Sequence, residues 1–147
     1  MKAFNYVGNT WLLANFLHPF IFYCFFLFVL HDALDLGAMV SLFVASLVLS
    51  LPALAASALF IRVVPVIRIP LSGNIFIWVI LANASVLINV ALIALLLGDE
   101  DLFFNGWSFY LPSLIATVSS IFLRYKQFHK YLLDESERIN EYENDVL

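Results

Sequence analysis

The chain reads as four long apolar blocks separated by short polar stretches. Ala3 to His31 holds no Asp, Glu, Lys or Arg and has its apolar centre from Trp11 to Leu30. The same is true of Leu36 to Ile61, Ser72 to Gly98, and Leu102 to Leu123, the last apolar from about Trp107. A helix needs about 20 mostly apolar residues to cross a hydrocarbon core roughly 30 Å thick, and each block has that length. None alternates with period two in ~10-residue pieces, as a membrane barrel strand does. Only helices and closed barrels satisfy the backbone inside lipid. The pattern therefore predicts an all-α, integral membrane four-helix bundle over residues 1–124. The connections at His31–Asp35, Arg62–Leu71 and Asp99–Gly106 are short, which makes neighbouring helices antiparallel and the order up-down-up-down.

Composition agrees. The 147 residues are 63% hydrophobic and 12% charged, with mean hydropathy +0.96. Soluble domains carry about 25% charged residues, so both an ordinary soluble globule and a disordered chain are excluded. A cleaved signal peptide has a 7–15-residue apolar core followed by a small-residue cleavage site. The first block is longer and runs into His31-Asp32-Ala33-Leu34-Asp35, so a retained helix is expected.

Charge then sets an orientation. With four spans, Lys2, Arg62, Arg68, Arg124, Lys126, Lys130 and Arg138 all fall on one side, while the opposite loops hold Asp32, Asp35, Asp99, Glu100 and Asp101. Lys and Arg in short loops mark the cytoplasmic side. Both termini are therefore expected in the cytoplasm of a cell or bacterial inner membrane. Arg62, Arg68, Arg124 and Lys126 become candidate anchors to lipid phosphates, with Trp11, Trp107, Tyr110 and Tyr125 at the headgroup levels.

The helix faces differ. Helix one carries Phe16, Phe20, Phe22, Phe25, Phe26 and Phe28 on all sides, read as packing plus lipid contact. Helix two carries Ser46, Ser50, Ala53 and Ser57 at spacings 4, 3 and 4. Small residues at such spacing let backbones approach, which drives association in lipid. A kink is expected near Pro52. Asn15, His18, Asn83, Asn89, Thr117 and Ser120 are the strongly polar groups within the spans. They either bond across helices to fix packing or line a cytoplasm-facing cavity, since an intramembrane ionisable residue is by default a functional candidate.

Chemistry is otherwise thin. His18 and His31 lie 13 residues apart on helix one, but the only other histidine is His129 in the tail, so haem lacks axial ligands. No His and carboxylate cluster has metal spacing. No charged base stands beside a serine within a span, and the five glycines form no phosphate loop. Cys24 reads as a buried, inert thiol. No catalytic residue, cofactor or metal is assigned, and no enzyme is expected.

Residues 125–147 hold no Pro or Gly. Phe128, Leu132, Glu135, Ile139, Tyr142 and Val146 fall at spacings 4, 3, 4, 3 and 4, a coiled-coil-like seam. Helix four is thus expected to run on into the cytoplasm as one long amphipathic helix, its basic start near anionic headgroups and its acidic remainder standing off. That acidity disfavours nucleic acid. The leading expectation is a multi-pass protein acting by association, as a membrane subunit, anchor or immunity-type protein, with the lipid bilayer and a second copy or membrane partner as its contacts. The alternative is a transporter, channel or pore-forming effector with a polar cavity around His18 and Asn83.

Overall fold

A computed structural model describes residues 3–30, 35–67, 70–98 and 106–146. The described residues are helical almost throughout, with no strand among them. Helix α1 covers Ala3–Phe25 and ends in a π-helical turn, Phe26–Leu30. Helices α2 (Leu36–Leu49) and α3 (Leu51–Phe60) follow, then a 3-10 turn at Val64–Val66. Helix α4 spans Leu71–Leu97, α5 Trp107–Leu123 and α6 Tyr125–Val146.

Local chemistry explains the ends. Asp35 caps α2, its carboxylate accepting from the Ala38 amide at 2.7 Å. Gly98 closes α4 at φ 66°, a left-handed position that glycine occupies without a Cβ penalty. The second apolar block is divided at Ser50, and its two parts meet at 49°. Pro52 lacks the N–H for the preceding turn and its ring crowds the carbonyl four residues back, so the break falls just before it. Pro19 lies inside α1 without interrupting the helix.

Two helical segments, Ala3–Val29 and Ser72–Leu97, are long and apolar enough to cross a membrane, and the bent α2/α3 pair makes a third if it counts as one span. At 17 residues, α5 is shorter, about 25 Å at 1.5 Å per residue. Helix α1 packs most extensively on α5 and, on its other side, on α2 and α3; α4 packs on α3 and α5. The outside is apolar. Phe16 and Phe20 of α1 and Phe28 of the π-helical turn are exposed at a spacing of four or eight residues, whereas Phe22 turns inward. Cys24 falls on the same outward line and is exposed, so it is not the buried thiol expected from its apolar neighbours.

One end of the molecule carries the main core. Tyr6 and Val7 of α1, Ile61 and Val64 of the α3–α4 connection, Trp78 of α4 and Ile121 of α5 meet Phe128, Tyr131 and Leu132 of α6 there. Tyr6 stacks on Tyr131 at 5.9 Å between centroids and contacts Phe128 at 5.7 Å. This corrects the expectation of one uninterrupted fourth helix. The run is broken at Arg124, whose guanidinium sits 5.8 Å above the Tyr6 ring, and α6 docks against the base through α1 and the 3-10 turn. Phe128 and Leu132 of the predicted seam are buried; Tyr131, outside that seam, is buried more deeply than Leu132. Burial pushes the Tyr131 hydroxyl up to about 12, with Glu135 adding to the effect and Arg62 and Arg138 opposing it.

Candidate functional site

Above this base lies a partly open cavity of about 280 Å³, lined from α1, α2, α3, α4 and α5. Val7, Trp78 and Ile121 stand at its lower end; Phe22, Leu42, Ile93 and Gly106 line it farther along. From Val7 to Phe22 the wall follows α1 for about 22 Å at 1.5 Å per residue. Ser46, Ser50, Ala53 and Ser57, the small-residue face of the second block, all lie on this wall. Their short side chains leave the space that larger residues would fill.

Five of the six predicted polar residues, Asn15, His18, Asn89, Thr117 and Ser120, line the same cavity. Asn83 does not. Its amide donates to the Val79 carbonyl of its own helix at 2.8 Å, one turn back. Counted from Val7 and Trp78 at 1.5 Å per residue, His18 and Asn89 both stand about 16 Å above the base, and Asn15 about 12 Å. Thr117 and Ser120, counted from Ile121, are lower, within about 6 Å of it. The polar groups are therefore spread over two levels of the cavity.

Most of them bond locally. Thr117 donates to the Ser113 carbonyl at 2.9 Å and Ser120 to the Thr117 carbonyl at 2.8 Å. Thr10 and Ser85 likewise bond four residues back. Cross-helix bonds concentrate at the α2/α3 break. The Trp11 indole N–H donates to Ser50 Oγ at 2.9 Å. The Ser50 hydroxyl has Asn15 Oδ1 at 3.2 Å and the Ser46 carbonyl as alternative acceptors for its one proton. The Asn15 amide donates to the Trp11 carbonyl at 3.0 Å, which holds both residues of α1 against the break. From α4, the Asn89 amide reaches the Leu49 carbonyl at 2.9 Å and satisfies a backbone group beside the interruption.

His18 is different. It is 8% exposed, packs against Phe22 at 5.7 Å between ring centroids, and neither ring nitrogen has a hydrogen-bond partner among the described residues. The Oδ1 of Asn89 also has none. The Trp78 indole nitrogen, at the lower end of the same wall, is also without a partner among the described residues; a buried polar atom without a partner costs free energy, so these atoms mark where the wall retains hydrogen-bonding capacity. The sequence pointed to His18 and Asn89 by residue type; Trp11 and Ser50 on the same wall were read as an interface marker and a packing residue.

Of the predicted anchors, Arg62 and Lys126 are exposed and Arg124 is half-buried over Tyr6. Arg68, His31 and the acidic stretch Asp99–Asp101 lie outside the described residues. Among the described residues, no three His, Cys, Asp or Glu side chains converge as a metal site. No protein-family profile, curated protein or solved structure matches this chain.

Proposed function

We propose that this chain is a four-span, up-down-up-down membrane protein with both termini cytoplasmic, and that it takes a small molecule into the cavity between its helices as a binding or transport protein, without chemistry on it. The observation that carries the reading is the cavity itself: His18 and Asn89 present unpaired polar atoms at one level of a largely apolar wall. Ligand sites are commonly concave, mostly apolar and furnished with a few polar groups, in volumes from about 300 Å³ upward. Packing between α5 and both α1 and α4 supports its role as the fourth span, although it is the shortest. The seven-to-none division of Lys and Arg supports the orientation.

Association with a partner rested on the helical tail, the lack of catalytic groups and the small-residue face of the second block. That face lines the protein's own cavity, so it no longer argues for an external helix. Native mass spectrometry of protein released from lipid nanodiscs tests the proposal. A small-molecule adduct is expected on the wild type and not on Ala53→Phe, which fills the wall; no adduct, or one equally present on both, contradicts it. For the orientation, a cysteine at Lys126 in a Cys24→Ala background should react with an impermeant maleimide only after cells are opened. Reaction in intact cells rejects the proposed sidedness.

A further inference from the structure

We infer that the cavity selects an uncharged molecule with an apolar body and a hydroxyl group, held by His18 and Asn89. The inference deepens the proposed function and rests on it. Among the described residues, no Asp, Glu, Lys or Arg side chain lines the cavity. A carboxylate, phosphate or ammonium group placed there would be desolvated with no counter-charge, which is strongly unfavourable. An ionised imidazole would have none either. The ligand and His18 therefore meet as neutral groups.

The unpaired atoms of His18 and Asn89, well above Trp78, then define the polar group. A neutral imidazole presents one donor and one acceptor, and the Asn89 oxygen only accepts. Its amide nitrogen is already engaged with the Leu49 carbonyl, which fixes the oxygen as the free end. A ligand matching this pair must donate as well as accept. An ether or a ketone only accepts and leaves Asn89 Oδ1 unmatched. A hydroxyl does both and is the smallest group that can.

The rest of the wall defines the body. Val86, Val90 and Ile93 of α4 and Ala82 a turn below them give apolar surface on either side of the Asn89 level. At about 280 Å³ the cavity is the size of a small-molecule site. Medium-chain and compact terpenoid alcohols combine an apolar body with a hydroxyl, and octanol serves as a probe.

The experiment uses the full chain in nanodiscs and two photoreactive probes, a diazirine-bearing octanol and the diazirine-bearing octane without the hydroxyl. Labelled sites are located by peptide mass spectrometry. The alcohol should label the cavity segment 82–93 about tenfold more than the alkane, as one well-made buried hydrogen bond would give. His18→Phe should remove that preference and His18→Gln, which keeps a donor and an acceptor, should retain it. Melting by circular dichroism establishes that both variants are folded. Equal labelling of the segment by the two probes, or an alcohol preference that survives in His18→Phe, overturns the hydroxyl assignment and leaves the cavity as a ligand site. Labelling by both probes confined to outward residues such as Phe16 and Phe20 overturns the assignment and the proposed function together.

Discussion

Asn89 joins two features of the structure. Its amide nitrogen satisfies the Leu49 carbonyl beside the α2/α3 break, and its oxygen faces the cavity without a protein partner. Replacing it by leucine removes the cap. Hydrogen bonds between membrane helices average ~0.6 kcal/mol and reach ~1.7, so Asn89→Leu is expected to cost about 1 kcal/mol. A lowered melting temperature in detergent checks this; an unchanged one means that the bond contributes nothing to the fold. At this scale the sequence was informative about residue type and weaker about direction. Ser46, Ser50, Ala53 and Ser57 were recognisable as one face because their spacing is helical, but spacing marks a face and not what it meets. Asn83 was grouped with His18 as a strongly polar residue within a span, but a residue one position round the helix from Ala82 points away from the cavity.

Elements show a similar division. The interruption of the second block was readable from Pro52, since the physics of a missing N–H and a crowded carbonyl acts within one turn. The docking of α6 was not. A helical tail free of Pro and Gly reads as continuous with α5, and the break at Arg124 depends on contacts distant in sequence: its guanidinium over Tyr6, and Tyr131 against Tyr6 and the Ile61 carbonyl. The seam drawn through Phe128 and Leu132 found one edge of the buried face and missed Tyr131, three residues from Phe128 and so also on that face. Phe128 is fully buried among Tyr6 and its neighbours. Truncating a buried phenylalanine costs about 3–5 kcal/mol, so Phe128→Ala should release α6 from the base. Limited proteolysis within 125–146 should accelerate in the variant. Equal protection in variant and wild type contradicts the docking of α6 by this contact.

For the molecule as a whole, the division between outside and inside follows from solvent. Apolar side chains such as Phe16, Phe20, Leu95 and Leu96 cover the surface, and the polar groups turn to the interior or to the break. A protein in water arranges these the other way, and exposed apolar area on this scale marks contact with lipid or protein. The apolar helices were evident from block length and composition; a cavity was only one of two readings of the polar residues, because its walls depend on where the break at Ser50 and the small residues fall relative to α1, α4 and α5. The most direct measurement is a crystal structure from a lipidic mesophase at a resolution that shows ordered solvent. If the cavity is a ligand site, it should hold non-protein density within hydrogen-bonding distance of His18 and Asn89 Oδ1. Helices closed onto one another, with the His18 ring bonded to a protein side chain and no space beside it, would contradict that reading.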